Sequence, residues 1–360
     1  MAIALVLALL VARWVASTAP DFENLALGEQ TFSIYGSYQG DKIFCGSVQE
    51  APECLEPAKV RNLPKRVIWL GNSQLHAINQ PKTGEKTAPV LLAEQLRPQG
   101  VEVQGFSFPS ASLTEMALAT AYLESAGHID VLVVPLFLDD TREQGVREML
   151  RPAVERPDLR TALSKTPTGQ TAIAMLSKIN AEDDGAESED PSLQQKSETA
   201  ITNMLEKCCE MQSIRQKARG QIEVQAFFLR NFIFNVTAQS VRPIIPAAYG
   251  QNMQALTDLL SSAKANGTRV ILYIPPLRQD FKPPYDLAQY QQFKDSTKLM
   301  ATQNGADWVD LDAIVPGKYW GTKAATRTGG DPELDFMHYQ GEGHRLLAER
   351  MIGEVRGALK

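Results

Sequence analysis

A serine near residue 70 stands where its hydroxyl could act as a nucleophile. The apolar run at 67–70, Val-Ile-Trp-Leu, is typical of a buried parallel strand. Gly71 ends this run, and a residue without Cβ can adopt backbone conformations closed to others. Ser73 follows, so we expect it just past the carboxyl end of a strand, where ligands bind in open α/β sheets. The alternative is a plain turn, since Gly, Asn and Ser all favour turns.

An aspartate and a histidine near the end of the chain have the spacing of a base and its orienting acid. Asp335 and His338 precede an amphipathic run at 341–358, so we expect them in the loop or first turn before a C-terminal helix. There a carboxylate can bind one imidazole N–H and fix the tautomer, and the other ring nitrogen can take a proton from a serine. The alternative is a helix-start carboxylate beside an unrelated surface histidine.

These two segments carry a resemblance to a known family. Gly-Asn-Ser at 71–73 and Asp-x-x-His at 335–338 are similar to the first and last blocks of the SGNH (GDSL-like) hydrolase superfamily, in the order that the family requires. The resemblance implies that Ser73 is the nucleophile, His338 the general base and Asp335 its orienting acid. It also implies a flavodoxin-like three-layer sandwich.

The resemblance further implies an oxyanion hole, where this sequence departs from the family at two positions. Family members usually place a glycine, whose backbone N–H donates, in the loop after the second strand, and Ser110 stands there instead. A serine keeps this donor if its dihedral angles suit the loop. The alternative is a Ser-rich loop that ends in a helix cap, with Ser112 and Glu115 forming a capping box.

The second departure is in the family's third block, Gly-x-Asn-Asp, whose asparagine amide also points at the oxyanion. Asp139 occupies that place. An ionised carboxylate there would repel a developing oxyanion and offset the contribution of a good donor. We therefore expect that Asp139 points elsewhere, is protonated, or belongs to a differently built site. This middle block, together with the N-terminal segment, is more similar to membrane-anchored cell-envelope acyl-transfer proteins than to soluble lipases.

The composition is that of a globular protein. Apolar residues make up 44% and charged residues 22% of 360 residues, and the length is enough for one large α/β domain with an insertion or for two domains. The net charge of −6 argues against nucleic acid as a partner. We expect no cofactor and no metal, because there is no Gly-rich phosphate loop and no metal-ligand spacing at His76, His128 or His344. We expect His344 to be structural, whereas His76 could line the cleft.

The first 19 residues predict a membrane anchor. Residues 1–12 are wholly apolar and Arg13 is the first charge, although a spanning helix needs about 20 mostly apolar residues. A cleaved signal peptide is the rival, but the segment has no basic region at its start. We favour an uncleaved anchor with the rest of the chain outside the cytoplasm. A buried amphipathic helix is the remaining alternative.

Residues 20–64 show few periodic signals, and we expect an irregular N-terminal extension. Cys45 and Cys54 lie nine positions apart in what we take for a polar loop. If the chain is exported, a disulfide closing this loop is expected. If it stays in the cytosol, two unpaired cysteines are expected.

From residue 65, strand-like and helix-like runs alternate, which predicts a parallel sheet covered by helices. Alternation alone fits any doubly wound fold, and the resemblance specifies a flavodoxin-like three-layer sandwich with a five-stranded parallel sheet. The predicted strands are 66–70, 101–105, 130–136, 269–274 and 308–311. The predicted helices are 88–96, 113–126, 252–265, 287–303 and 342–359.

Residues 141–250 lack a strand that fits the sheet, and we expect a largely helical insertion that caps the cleft. The 65–360 domain would thus carry this insertion between its third and fourth strands. An acidic stretch at 181–190 predicts a solvated loop. Helices are predicted at 142–151, 171–179 and 193–218, and the aromatic run at 224–234 either packs in a core or lines a lipid or acyl pocket.

Together these features predict a serine-dependent acyl-ester hydrolase or O-acyltransferase with a Ser-His-Asp triad. The expected substrate is an acylated glycan or lipid outside the cytoplasm, with the chain held at the membrane and working beside other envelope-biosynthesis proteins. The departures at Ser110 and Asp139 motivate an alternative from another class. In that alternative, the chain is a non-catalytic envelope scaffold or glycan-binding protein that keeps the fold.

Overall fold

The computed structural model describes residues 30–48, 50–183, 235–325 and 331–360, apart from the side chains of residues 58, 59 and 178–183. The chain divides into two compact units, and the larger comprises residues 30–179, 238–323 and 334–360. Most of the smaller unit, residues 1–29, 180–237 and 324–333, lies outside the described residues. The predicted domain boundaries stay predictions.

Several predicted segments also lie outside the described residues. They are the apolar segment 1–19, most of the acidic stretch 181–190, the helix 193–218 and the aromatic run 224–234. Within the part of the chain that is described, no helix combines the length and the apolar character needed to cross a bilayer.

The described strands and helices follow one another in the alternating order expected of an α/β protein. The strands are β1 (Thr31–Ser33), β2 (Ser37–Tyr38), β3 (Asp41–Lys42), β4 (Phe44–Cys45), β5 (Lys65–Gly71), β6 (Ala77–Asn79), β7 (Val101–Ser107), β8 (Val131–Pro135), β9 (Arg269–Ile274), β10 (Asp307–Asp310), β11 (Trp320–Lys323) and β12 (Glu333–Tyr339). The α-helices are α1 (Ala51–Arg61), α2 (Ser73–His76), α3 (Ala88–Leu96), α4 (Leu113–Ser125), α5 (Arg151–Glu155), α6 (Pro157–Leu163), α7 (Pro167–Asp183), α8 (Pro246–Ala265), α9 (Leu287–Asn304) and α10 (Gly341–Ala358).

The central sheet is parallel and has the strand order β10-β9-β8-β5-β7-β4. Five of these strands are the predicted ones, and their order, 2-1-3-4-5 in the chain, is the flavodoxin-like order. The sixth, β4, pairs with Gly105 and Phe106 at the edge of the sheet. The sequence does not predict β4, because two residues are too few to produce a periodic signal.

Side chains alternate between the two faces of β5 and so build two separate cores. Ile68 and Leu70 pack in a cluster with α4, α8 and α9, whereas Val67 and Trp69 pack in a cluster with α3 and α10. The sheet is therefore covered on both faces. The predicted α/β three-layer sandwich is confirmed, with six strands in the sheet rather than five.

Two local predictions differ from the structure. Residues 30–64, expected to be irregular, contain β1 to β4 and α1, and Cys45 on β4 forms a disulfide with Cys54 on α1, across a Cα–Cα distance of 6.1 Å. The helix predicted at 142–151 is wrong. Gly145 has a φ of +98°, which breaks a helix, and only short 3-10 turns precede α5.

The other helices predicted within the described residues are found, and local sequence signals explain two of them. The capping box between Ser112 and Glu115 is formed at the start of α4. The helix predicted at 171–179 lies within α7. These local signals act within one turn of the chain, which is why the sequence alone reveals them.

His344 connects the C-terminal helix to the elements beside it, as a structural histidine should. It is fully buried in α10, where its Nε2–H donates to the carbonyl of Ala77 at 3.1 Å and its Nδ1 accepts from the N–H of Ala88 at 3.2 Å. Burial lowers the pKa of His344 to about 3, although the bond to Ala77 opposes this shift. The ring is therefore neutral and bridges β6, α3 and α10.

This burial predicts an acid-dependent loss of stability. An unfolded histidine has a pKa of about 6.5. Because the folded value is lower, the contribution of His344 is complete above about pH 6.5 and is lost as the pH falls toward 3. We expect the urea-unfolding free energy of the wild type to decline by about 1.4 kcal/mol per pH unit more than that of His344→Gln between about pH 6 and 4. Equal slopes in the two proteins would contradict this assignment.

Candidate active site

Ser73 lies immediately past the carboxyl end of β5 and is the first residue of α2. Asn72 caps this short helix, with its Oδ1 accepting from the N–H of Gln74 at 3.0 Å. Gly71 leaves no room for a side chain, because a Cβ there would lie 2.5 Å from Cδ2 and 2.7 Å from Cβ of Leu75. Gly71 is thus required for close packing of β5 against Leu75. The unusual backbone conformation suggested by the sequence is not the reason, because Gly71 is not among the residues with a positive φ.

Asp335 and His338 lie on β12, which pairs with β11, and not in a loop or helical turn as predicted. Residues three apart on a regular strand point to opposite faces. Here Oδ1 of Asp335 accepts from the backbone N–H of Met337 at 2.8 Å and of His338 at 2.9 Å, so the carboxylate lies against the backbone of the residues that follow it. The side chains of Asp335 and His338 therefore meet, although residues with this spacing point to opposite faces of a regular strand.

The three predicted side chains form one hydrogen-bonded chain. Nδ1 of His338 lies 3.2 Å from Oδ2 of Asp335, and Nε2 of His338 lies 3.0 Å from Oγ of Ser73. Because an ionised carboxylate only accepts, we assign the imidazole proton to Nδ1, which leaves Nε2 to accept from the serine hydroxyl. Asp335 and His338 are buried, and Ser73 is half-buried. The structure brings the three side chains into the arrangement that nucleophilic catalysis requires.

Asp335 is ionised despite its burial. Burial raises the pKa of Asp335, but the positive charge that His338 can carry and the hydrogen bonds from His338 and Met337 outweigh it, so that the pKa falls to about 2. Asn79 adds a further bond, from its Nδ2 to Oδ2 of Asp335 at 3.2 Å. The carboxylate is thereby fixed in position and in charge.

Asn79 is a site residue that sequence reasoning missed. It is fully buried, and its Nδ2 also lies 2.9 Å from Oγ1 of Thr31 and 2.9 Å from the carbonyl of Thr322. Asn79 thus connects β1 and β11 to the carboxylate of Asp335. A lone asparagine at the end of a short strand gives no signal of such long-range contacts.

Asp140 is a second buried carboxylate, and it supports the turn that carries Ser73. The Nδ2 of Asn72 donates to both carboxylate oxygens of Asp140, at 3.1 and 3.0 Å. Burial raises the pKa of Asp140 well above its usual range. The hydrogen bond from Asn72 lowers this pKa, whereas the charges of Asp139, Glu143 and Glu115 raise it further. Sequence reasoning did not single out Asp140.

Asp139 is held by two groups on other segments. Its Oδ2 accepts from the hydroxyl of Tyr285 at 2.9 Å and forms an ion pair with the guanidinium of Arg242. The negative charge of Asp139 is thus paired with a positive one. A part for Asp139 in oxyanion binding stays a prediction.

Ser110 is exposed in the loop after β7 and has a φ of +48°, in the left-handed region that favours glycine. The loop lies against the end of β5, because the N–H of Phe108 donates to the carbonyl of Gly71 at 3.4 Å. The serine thus adopts a glycine-like backbone at the position where the family has a glycine. Its part in oxyanion binding stays a prediction.

A small apolar pocket adjoins the hydrogen-bonded chain at the carboxyl ends of β8 and β9. Two of its lining residues, Gln74 and Met337, are the chain neighbours of Ser73 and His338. Its other walls are mainly aliphatic and aromatic, formed by Leu136, Phe137, Leu138, Pro275, Pro276, Leu277, Tyr285, Tyr290 and Phe336.

The remaining histidines are placed elsewhere. His76 is fully buried, with its Nδ1 2.9 Å from Oγ of Ser107 and its ring stacked on Tyr35, whereas His128 is exposed. Among the residues that the structure describes, no three His, Cys, Asp or Glu side chains are grouped so that they could hold a metal ion.

Comparison with known proteins gives only distant similarities. No protein-family model and no curated protein matches the chain. Similar solved structures include LAE5, an α/β hydrolase enzyme from the metagenome of Lake Arreo, at 10% identity and a TM-score of 0.39, covering 82% of this chain and 97% of that one. They also include Axe2, an acetylxylan esterase from Geobacillus stearothermophilus, at 11% identity and a TM-score of 0.37, covering 81% and 94%.

A third similar structure is an active-site mutant of a family two carbohydrate esterase from Clostridium thermocellum, at 10% identity and a TM-score of 0.36, covering 82% of this chain and 64% of that one. These proteins are hydrolases and esterases, the classes to which the resemblance in the sequence also points. Similarity this low carries no argument about activity or substrate.

The backbone of Ser110 leads to a stability prediction. A left-handed conformation costs a non-glycine residue about 1–2 kcal/mol, so Ser110→Gly should raise the free energy of unfolding by up to about 1 kcal/mol while keeping the backbone N–H. The matched control is Ser261→Gly on the exposed side of α8, which should lower the free energy of unfolding by about 0.5–1 kcal/mol. Chemical denaturation measures both variants. A loss of stability in Ser110→Gly comparable to that in Ser261→Gly would show that the loop does not demand this backbone.

Proposed function

We propose that this protein is a serine-dependent acyl-ester hydrolase in which Ser73 is the nucleophile, His338 the general base and Asp335 the group that orients and stabilises the imidazole. The observation that carries the proposal is the continuous hydrogen-bonded chain from Ser73 Oγ through His338 to Asp335. A histidine hydrogen-bonded on one side to a hydroxyl and on the other to a buried, ionised carboxylate is poised to accept the serine proton.

In the first step, Nε2 of His338 takes the proton of the Ser73 hydroxyl while Oγ bonds to the ester carbonyl carbon. The carbonyl oxygen becomes an oxyanion, and the backbone N–H groups of Ser73 and Ser110 are the proposed donors to it. The ion pair with Arg242 compensates the charge of Asp139, which supports oxyanion formation in spite of the missing asparagine. The C–O bond to the alcohol then breaks, and His338 returns the proton to the leaving oxygen.

In the second step, an acceptor hydroxyl frees the serine. His338 removes a proton from water, the hydroxide oxygen bonds to the acyl carbon, and the acid leaves as Oγ regains the proton. If a sugar hydroxyl replaces water, the same steps transfer the acyl group to the sugar. We propose hydrolysis as the main reaction. The product formed in the presence of a sugar acceptor, free acid or acylated sugar, decides between hydrolysis and transfer.

We further propose that the substrate is an acylated glycan or lipid outside the cytoplasm. The disulfide between Cys45 and Cys54 supports an oxidising compartment, because disulfides rarely persist in the cytosol. The apolar segment at 1–19 supports attachment to a membrane. Proteins of envelope biosynthesis would be the natural partners of such an enzyme, and nucleic acid would not be one.

Replacement of the nucleophile tests the proposal. Ser73→Ala should lower hydrolysis of a chromogenic acetyl ester by at least about 10³-fold and abolish covalent labelling by a serine-reactive phosphonate, because the alanine side chain has no hydroxyl with which to form the acyl intermediate. The matched control is Ser261→Ala, the same change at an exposed site on α8, which should leave both readouts unchanged. Circular dichroism checks that each variant is folded.

Two outcomes would contradict the proposal. Activity retained in folded Ser73→Ala would exclude Ser73 as the nucleophile. A wild-type protein that is inert toward acetyl, longer-chain and glycan esters but binds an acylated glycan would indicate the non-catalytic scaffold instead.

A further inference from the structure

Gln74, the residue after the nucleophile, makes contacts that the proposed reaction does not by itself explain. Its side chain is 2% exposed. Nε2 of Gln74 donates to the carbonyl of Met337 at 2.7 Å and to the carbonyl of Pro276 at 3.1 Å. Because both partners are carbonyl oxygens, only the NH₂ end of the amide can face them, and both of its hydrogens are used. The orientation of Gln74 is thus fixed by its partners.

These two bonds join segments that are far apart in the chain. Pro276 follows β9 and is 202 residues from Gln74, and Met337 on β12 is 263 residues away. Met337 is the residue immediately before the general base. One buried amide therefore fastens the turn that carries Ser73 to the strand that carries His338.

The peptide unit between Met337 and His338 is held from both sides. Its carbonyl, on Met337, accepts from Gln74, and its N–H, on His338, donates to Oδ1 of Asp335 at 2.9 Å. A peptide unit is planar and rigid, so two such bonds fix the backbone from which the imidazole projects. Asp335 fixes the His338 ring relative to β12. Gln74 in turn ties β12 to the turn that carries Ser73.

We propose that Gln74 is a positioning residue that holds the His338 imidazole at hydrogen-bonding distance from the Ser73 hydroxyl. This inference rests on the proposed function of that pair. Gln74 touches no reacting atom in this scheme, and it acts by setting the distance between two groups on separate segments. A misplacement of about 1 Å in such a pair can lower a rate by about 10²-fold, so small movements of β12 are sufficient for a large effect.

The main test replaces the amide by a side chain of similar size. Gln74→Met keeps most of the volume but removes both donors. We expect kcat to fall by about 10- to 100-fold with KM changed less than about threefold, and the rate of phosphonate labelling at Ser73 to fall by the same factor as kcat. The matched control is Gln99→Met, since the Gln99 amide also donates to a backbone carbonyl but is exposed and precedes the amino end of β7, whereas the site lies at the carboxyl ends of the strands. It should leave kcat and the labelling rate unchanged.

A second variant gives a readout that a merely structural residue would not move. In Gln74→Glu, the ionised carboxylate faces two carbonyl oxygens and cannot donate, whereas the protonated acid can restore one bond. The ratio of the Gln74→Glu rate to the wild-type rate should therefore rise as the pH falls. Comparing the ratio removes the pH dependence that both proteins share.

The outcomes separate this inference from the proposed function. A wild type that neither hydrolyses esters nor labels at Ser73 overturns the proposed function, and the inference with it. An active wild type with folded Gln74→Met of unchanged kcat overturns the inference alone. A pH-independent ratio for Gln74→Glu, or a loss in Gln74→Met that appears only as lower stability, would also show that Gln74 is structural and does not position the base.

Discussion

The buried carboxylate of Asp335 is the group on which the rest of the site depends. Burying an ionised carboxylate is unfavourable unless hydrogen bonds replace the water that it loses. Asp335 receives such bonds from two backbone N–H groups, from the His338 ring and from Asn79. The same bonds hold the backbone from Asp335 to His338, select the imidazole tautomer and leave Nε2 facing Ser73. The charge of the carboxylate and the orientation of the imidazole are therefore consequences of one arrangement.

The sheet topology explains why these groups can meet at all. In a parallel sheet, the carboxyl ends of neighbouring strands lie at the same edge, so β5, β7, β8 and β9 all deliver their following loops there. Ser73 follows β5, and the apolar pocket lies beyond β8 and β9. β12 lies outside this sheet, and the side chains of Asn79 and Gln74 tie it to the same edge. The strand order thus brings several loops to one edge of the sheet, and long-range hydrogen bonds bring β12 to the same edge.

How far the sequence predicts this molecule depends on the range of the interactions involved. The runs at Val67–Leu70 and Arg269–Ile274 reveal strands, and Ser112 with Glu115 reveals a helix start, because apolar periodicity and capping act locally. The grouping of Ser73, His338 and Asp335 is predicted from their types and order. That Asp335 and His338 lie on a strand is not predicted, because β12 pairs with a short β11 that has no clear pattern of its own.

Local sequence patterns do not reveal the residues that hold the site together. Gln74 and Asn79 act through bonds to carbonyls and side chains up to 263 residues away, which leave no mark on the neighbouring sequence. Asp139 shows the same limit in another form. The sequence marks it as a departure, but the partners that determine its environment, Arg242 and Tyr285, are 103 and 146 residues distant.

The central claim is that Ser73 and His338 work as a nucleophile and its base, and a crystal structure of the protein after reaction with a serine-reactive phosphonate ester tests it most directly. The account predicts a covalent bond from phosphorus to Oγ of Ser73. It also predicts that Nε2 of His338 lies within hydrogen-bonding distance of the adduct and that Nδ1 of His338 is still hydrogen-bonded to Asp335. An unmodified Ser73 with the phosphonate on another residue, or an imidazole turned away from the adduct, would contradict it.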